Sequence, residues 1–147
     1  MLDSLQTWEG LSAETAELMG TGVYECTFNI DKKGWTSTSS PAYQLDLGDV
    51  RESARVSING VEIGCAWAAP FVLDVPQGVI RTGENKLRIE VTNLPANRIA
   101  ALDRQRVPWR KFEDINVVDI NYRRTTYNNW SPVPSGLKGP VRLIISN

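Results

Sequence analysis

Short segments in which apolar and polar residues alternate recur along most of this 147-residue chain. The clearest runs from Val23 to Ile30 and places apolar side chains at every second position: Tyr24, Cys26, Phe28 and Ile30. A period of two puts alternate side chains on opposite faces of a β-strand, so each segment is predicted to be a strand with one buried face. Such strands bury their apolar faces when two antiparallel sheets pack together. The predicted fold is therefore all-β, an antiparallel β-sandwich of jelly-roll type.

Turn-forming residues separate the predicted strands. The strands are Val23–Ile30, Tyr43–Leu47, Ala54–Asn59, Val61–Cys65, Phe71–Val75, Lys86–Asn93, Asn116–Tyr122 and Pro140–Ser146. The pair Asn59-Gly60 is the strongest hairpin signal, because both residues tolerate the positive φ of a type I′ turn. A short helix is predicted from Ser12 to Met19, with Ser12 as its N-cap.

One connection, Asn97–Glu113, is too long for an ordinary turn. Ile99 and Leu102 stand at helical spacing within it, before Pro108. Long insertions at the end of a sandwich often carry function, so we expect a binding site in this segment.

The overall composition excludes several classes of function. The 16 basic and 17 acidic residues nearly cancel, so neither nucleic acid nor a membrane surface is an expected partner. The absence of histidine removes Ser-His and Cys-His nucleophile pairs and the usual zinc sites. No stretch approaches the roughly 20 apolar residues of a membrane span, and the first ten residues do not form a signal peptide.

The length suits one compact domain, residues 1–147, and is too short for a catalytic barrel plus an accessory domain. Two cysteines cannot form the dense disulfide framework of a small secreted scaffold. Cys26 is predicted to point inward as a small apolar side chain, and one bridge to Cys65 stays open.

The acidic residues raise two further functions, hydrolysis of a glycosidic bond and binding of a calcium ion. Two carboxylates across a glycosidic bond suffice for hydrolysis, and the candidate acids near the insertion are Asp103, Glu113, Asp114 and Asp119. Nothing in their spacing singles out a pair, so no catalytic residue is assigned. No metal or cofactor is predicted, although oxygen-rich loops could hold a structural calcium among the acids at strand ends, Asp46, Asp49 and Asp74.

The residue types that recognise sugars occur together in this chain. A sugar ring stacks its C–H face on an aromatic side chain and offers hydroxyls to planar polar groups. The predicted carbohydrate-binding residues are Trp67, Asn97, Arg98, Trp109 and Trp130. Trp67 could equally pack in the core, and Trp130 could merely cover one end of the sandwich.

The region around the insertion is locally basic. Residues 98–124 hold seven arginine or lysine residues against four acids. This surplus could form a basic rim, or the arginines could simply be scattered and solvated. Arg98 could grip a hydroxyl pair or a carboxylate in bidentate fashion, whereas an asparagine at a strand exit, as at Asn93, usually satisfies its own turn.

A series of motifs also resembles a known family. In chain order they are Gly20–Phe28 (GTGVYECTF), Leu45–Val50 (LDLGDV), Ala54–Gly60 (ARVSING), Gly64–Phe71 (GCAWAAPF), Gly83–Asn93 (GENKLRIEVTN) and Ser135–Leu143 (SGLKGPVRL). Together they resemble the sugar-binding, galactose-binding-domain-like jelly roll of glycoside hydrolase family 2. Asn97-Arg98 followed by a long insertion is closer still to the terminal domain of rhamnosidase-type enzymes of family 106.

The resemblance implies a module without its own catalytic centre, a fragment of a larger secreted or periplasmic glycoside hydrolase. In such enzymes the catalytic carboxylates lie in a separate barrel domain. The implied partners are carbohydrate and the catalytic domain of the parent enzyme. The alternative is a structural interaction domain that packs on that barrel without binding free sugar.

Overall fold

A computed structural model describes residues 4–31, 41–111, 120–121 and 125–146. Within these ranges the strands are β1 Thr21–Ile30, β2 Ala42–Asp46, β3 Asp49–Arg51, β4 Ser53–Ile58, β5 Val61–Ala66, β6 Val72–Val75, β7 Gly83–Thr92, β8 Gly136–Gly139 and β9 Arg142–Ser146. The helices are α1 Ala13–Ala16 and α2 Ala96–Arg104, and a 3₁₀ turn spans Trp8–Gly10.

The strands form layers with an apolar interior. One sheet has the order β1-β7-β4-β5, a second has the order β6-β2-β9, and β3 pairs with β8; every pair is antiparallel. The core side chains alternate along the strands, as the sequence predicts: Leu45, Leu47, Val50, Val56, Ile58, Val75, Leu87, Ile89, Val91 and Leu137. The predicted antiparallel β-sandwich is confirmed.

Most strand predictions match the structure to within about three residues at each end. β3 and β8 were missed, because segments of three or four residues are too short to display a period of two. The predicted strand Asn116–Tyr122 lies largely outside the described residues.

The hairpin prediction at Asn59-Gly60 is confirmed. Asn59 has φ 54° and Gly60 has φ 81°, as a type I′ turn requires. The Asn59 amide also donates 2.8 Å hydrogen bonds to Val79 O and to Asn85 Oδ1. This turn therefore joins the β4–β5 hairpin to the segment that leads into β7.

The first helix is shorter than predicted. α1 covers only Ala13–Ala16, and Ser12 forms the predicted N-cap in a capping box with Thr15. The helix was expected to continue to Met19, but it buries none of its side chains, and a helix without packing gains too little to propagate.

The prediction that Cys26 is buried is wrong. Its strand β1 is the edge strand of the four-stranded sheet, and Cys26 is exposed although its neighbours Tyr24 and Phe28 on the same face are partly buried. Cys65 is also exposed, and both thiols are free. Two strands lie between β1 and β5, which at about 4.8 Å per strand separates these edges by about 14 Å. That distance exceeds the reach of a disulfide.

The segment before β1 is fastened to the segment before β8. Trp8 N donates to Ser135 O at 2.9 Å, and Trp8 Nε1 donates to the Tyr24 hydroxyl at 2.6 Å. The buried Asn93 amide donates to Leu18 O and to Ser135 Oγ, and its oxygen accepts from Gly20 N. These hydrogen bonds hold the segment before β8 next to the end of β7, and α2 begins shortly after that end.

No helix within the described ranges has both the length and the apolar character needed to cross a lipid bilayer.

Candidate carbohydrate-binding site

The predicted insertion begins with α2, which packs on one end of the sandwich. Ala100 and Ala101 are buried on its inner face. The helix carries Asp103 in its last turn and ends at Arg104, so the chain turns back over the helix before it reaches Trp109. The helical spacing of Ile99 and Leu102 was thus a correct local signal.

Asp103 organises the residues that follow the helix. Its Oδ1 accepts from Trp109 Nε1 at 2.6 Å, and its Oδ2 accepts from the backbone N–H of Tyr127 at 2.7 Å and from Arg110 at 3.5 Å. Two loop segments remote in sequence therefore meet on one carboxylate. We call Asp103, Trp109, Arg110, Tyr127 and Trp130 the Asp103 cluster.

The environment of Asp103 favours its charged form. Burial disfavours the carboxylate and raises its pKa, but the hydrogen bonds from Tyr127 and Trp109 and the nearby Arg110 guanidinium outweigh burial. The pKa of Asp103 is therefore below its usual range. A carboxylate that stays ionised at neutral pH holds loops in place and is unsuited to act as a general acid.

Arg110 fills the interior of the cluster. Its side chain is only 7 % exposed, and its guanidinium carbon lies 4.5 Å from the Trp109 ring centroid and 5.5 Å from that of Tyr127. It also donates to Thr125 O at 2.6 Å. Cation–π contacts with both rings and an ion pair with Asp103 make Arg110 a positioning residue for the aromatic side chains.

The aromatic side chains of the cluster reach the surface. The Tyr127 and Trp130 ring centroids lie 4.5 Å apart with an interplanar angle of 58°, and Trp130 is 47 % exposed. A cleft of about 300 Å³ adjoins the cluster; Trp109 lines it together with Arg106, Arg110, Thr126 and Asn128 among others, whereas Tyr127 and Trp130 do not line it. An indole that lines a polar cleft has the chemistry that sugar rings require.

Two predicted site residues, Trp109 and Trp130, are brought together in this cluster through Tyr127. Asn97 takes a different place: it is 6 % exposed, its amide nitrogen donates to Val133 O, and its oxygen accepts from Val133 N. The expectation of direct sugar contact by Asn97 does not fit this burial, because its amide fastens α2 to the segment before β8.

Arg98 and Trp67 lie apart from these contacts. Arg98 is exposed on α2, and no acidic side chain in the described ranges pairs with it. Trp67 follows β5 and is 77 % exposed, so the alternative that it packs in the core is wrong. No contact within the described ranges joins Trp67 to the Asp103 cluster.

Sequence reasoning missed Tyr127, the role of Asp103 and the role of Arg110. Tyr127 was visible as the first residue of Tyr127-Asn128-Asn129-Trp130. Asp103 and Trp109 are six residues apart, and this spacing becomes informative only once the helix is known to end at Arg104. Of the other acids near the insertion, Glu113, Asp114 and Asp119 lie outside the described residues, as does Trp35.

The acids at strand ends have protein partners. Asp46 accepts from Gly48 N, Asp74 accepts from Gln44 Nε2, and Asp49 pairs with Arg51 at 2.7 Å. Across the described part of the chain, no three His, Cys, Asp or Glu side chains group closely enough to hold a metal ion. The absence of a metal or cofactor stays a prediction, and a structural calcium stays the alternative to it.

Comparisons with known proteins point to large glycoside hydrolases. No protein-family model matches the chain. A putative β-glucuronidase from Formosa agariphila is 35 % identical over 158 aligned positions, gaps included, and the match covers 96 % of this chain and 13 % of that protein. The solved structure of a rhamnosidase from Novosphingobium sp. PP1Y matches with a TM-score of 0.72 and 32 % identity, over 99 % of this chain and 13 % of the rhamnosidase.

A β-glucuronidase from an uncultured Clostridium sp. matches more weakly, with a TM-score of 0.52 and 26 % identity over 60 % of this chain and 15 % of that one. The chain thus spans about an eighth of the length of that putative β-glucuronidase and of that rhamnosidase. It is similar to a small part of large glycoside hydrolases, and the resemblance to a galactose-binding-like domain of such enzymes is confirmed.

Proposed function

We propose that this chain is a carbohydrate-binding accessory module of a glycoside hydrolase, and that the Asp103 cluster is its sugar site. The observation that supports this proposal is a polar cleft lined by Trp109, with the half-exposed Trp130 in the same aromatic cluster and a buried ion pair that holds the cluster together. The similarity to segments of a rhamnosidase and of β-glucuronidases makes a polysaccharide the natural ligand class.

The proposed site divides recognition between two kinds of side chain. The Trp130 indole offers an apolar face to the C–H side of a sugar ring, while Asn128 and Thr126 at the cleft offer hydrogen-bond partners for its hydroxyls. An open platform of this kind binds weakly, because it buries only one face of the ligand. A weak site of this type suits a module whose parent enzyme is secreted or periplasmic and degrades a polymer.

The test is titration calorimetry of the chain against rhamnose- and galactose-containing oligosaccharides and plant polysaccharides. Trp130→Ala removes the exposed platform without breaking the bond between Trp109 and Asp103, so affinity is expected to fall about tenfold. Trp109→Ala should reduce it as well. Trp67→Ala is the matched control, because it removes an even more exposed indole at another loop.

If no oligosaccharide or polysaccharide in the panel gives a heat of binding, the proposal that this chain binds free sugar is wrong. A loss of binding confined to Trp67→Ala would place the site on the loop after β5 instead of on the Asp103 cluster.

A second candidate is a structural domain that packs on the catalytic barrel of its parent, and a separate surface supports it. Two apolar grooves of about 290 Å³ and 500 Å³ adjoin one another along β1 and share Val23 and Tyr24. The exposed side chains around them include Leu5, Leu18, Met19 and Val23. Exposed apolar side chains grouped in this way are typical of protein interfaces.

This candidate is tested by expressing the chain and the remainder of its parent protein separately. Co-purification of the two parts is expected, together with its loss in Val23→Lys. If the wild-type parts do not associate, the candidate is wrong; if Trp130→Lys abolishes association while Val23→Lys does not, the interface lies elsewhere.

A further inference from the structure

Helix α2 ends in a turn that ordinarily calls for glycine. Arg106 has φ 58°, and its backbone N–H donates to Asp103 O at 3.1 Å, while Val107 N donates to Leu102 O at 2.9 Å. This pair of bonds is a Schellman motif with Arg106 at the left-handed C′ position. The side chain of an L-residue is unfavourable there, because its Cβ crowds the neighbouring backbone.

At the other positions with positive φ in the described ranges, the chain has residues that tolerate this backbone conformation. Positive φ is taken by glycines and by Asn59, which sits in a type I′ turn. Arg106 is the one other non-glycine residue with positive φ in those ranges. An arginine held in an unfavourable backbone conformation indicates that its side chain serves a purpose that the backbone does not explain.

The position of Arg106 suggests that purpose. It is exposed and lines the cleft of about 300 Å³ beside Trp109. Within the described ranges its guanidinium has no acidic partner, whereas Arg110 is buried and neutralises Asp103. Among the described residues that line the cleft, Asp103 and Arg110 cancel, so Arg106 contributes a positive charge that no described acid offsets.

We propose that Arg106 recognises an anionic group on the sugar, the carboxylate of a uronic acid or a sulfate ester, when the ring lies against the cleft. This inference rests on the proposed sugar site and adds the class of ligand to it. A guanidinium binds either anion through two parallel N–H donors, and such charge-assisted bonds are stronger than those to a neutral hydroxyl.

The experiment is calorimetry with a galacturonate tetrasaccharide, a sulfated galactan tetrasaccharide and a neutral galactose tetrasaccharide. Arg106→Gly keeps the left-handed turn and removes the charge, so affinity for the preferred anionic ligand should fall about tenfold while affinity for the neutral ligand changes less than twofold. Arg104→Gln removes the same charge from a neighbouring residue that pairs with Glu17, and it should leave the preference unchanged.

Urea denaturation supplies a second readout. Arg106→Gly should unfold at a higher urea concentration than the wild type, because glycine relieves the backbone cost at φ 58°. Higher stability combined with a lost preference for the anionic ligand is the expected result, and a purely structural arginine would not give it. A lower unfolding midpoint in Arg106→Gly would overturn the inference.

Comparing the galacturonate and the sulfated galactan tetrasaccharides shows whether the preferred anionic group is a carboxylate or a sulfate. If the neutral tetrasaccharide binds as well as both anionic ones, the sugar site stands and the role of Arg106 is wrong. If none of the three binds, and the wider panel gives no heat, the proposed sugar site itself has failed.

Discussion

Buried asparagines carry much of the internal organisation at the scale of single residues. Asn85, Asn93 and Asn97 are each buried, and each amide bonds to backbone groups of segments outside the regular sheets. Loops cannot satisfy their backbone polar groups through a strand ladder, so a side-chain amide with two donors and an acceptor is a suitable substitute. These residues fix the loops that shape the ends of the sandwich.

Replacing Asn85 tests this role most directly. Its side chain is fully buried, donates to Arg81 O and Gly83 O, and accepts from Arg81 N and Asn59 Nδ2. Asn85→Ala leaves buried backbone groups unpaired, so the free energy of unfolding should fall by about 3 kcal/mol. Chemical denaturation measures this loss, and Asn29→Ala at an exposed position of β1 should change it by less than about 0.5 kcal/mol.

The lowered pKa of Asp103 predicts a pH dependence. A carboxyl whose pKa is lower in the folded state stabilises the fold above its ordinary value of 3.8, and this contribution is lost as the pH falls through the lowered pKa. Asp103→Asn should reduce the free energy of unfolding by about 2 kcal/mol at neutral pH. Below pH 3.8 the two proteins should converge. Parallel curves of melting temperature against pH would contradict this account.

Part of the candidate site could be predicted from the types of its residues. Trp109 and Trp130 stood out because a large aromatic side chain in a polar loop needs a reason to be there. Asn97 looked equally suitable for binding, yet its amide is consumed by Val133. Whether an amide faces solvent or a neighbouring loop depends on tertiary packing that local sequence does not encode.

At the scale of elements, the tight turns determine how neighbouring strands align. The Asn59-Gly60 turn lies between β4 and β5, and the Asn59 side-chain amide also bonds to Val79 before β7 and to the backbone N–H of Lys86 within β7. Because the side-chain period of a strand is two, a register shift of one residue would turn its apolar face toward solvent. The conformation of this turn therefore has consequences for the core.

Gly60→Ala isolates the conformational requirement of the turn. Nothing lies within 4 Å of the added Cβ, so the cost comes from placing alanine at φ 81° and not from a clash. The free energy of unfolding should fall by about 1 kcal/mol. Gly10→Ala is the control, because Gly10 is not at positive φ and its added Cβ meets an ordinary contact. Equal effects of the two substitutions would refute the argument.

The elements themselves were largely predictable where alternation was long enough. β1 and β7 each span ten residues and were found from their pattern. The pairing of β3 with β8 was not foreseeable, because it depends on contacts between positions about 90 residues apart. The same holds for the pairing of β7 with β1 and with β4, because these strands are remote in sequence.

The whole molecule presents two unlike surfaces. The end at α2 carries the polar Asp103 cluster, whereas β1 and the segment before it carry the apolar grooves. With a net charge of −1 the chain has little long-range repulsion between copies. The apolar grooves are therefore expected to govern how the isolated chain associates.

Leu18→Gln combined with Met19→Gln tests the apolar surface. Both side chains are exposed, so the double variant should change the free energy of unfolding by less than about 1 kcal/mol. It should reduce the fluorescence of a bound hydrophobic dye and any self-association seen by analytical ultracentrifugation. Val61→Gln, at an exposed apolar position of β5, is the control and should leave both unchanged. Equal dye signals from all three proteins would argue against the grooves.

The two accessible cysteines provide natural labelling positions. Cys26 lines the larger groove at one edge of the four-stranded sheet, while Cys65 lies on β5 at the opposite edge. Maleimide modification of single-cysteine variants would thus report on each edge separately. A partner seated along β1 should slow alkylation at position 26 and leave position 65 as reactive as before, which turns an incidental pair of thiols into a footprinting assay for the orientation of the module in its enzyme.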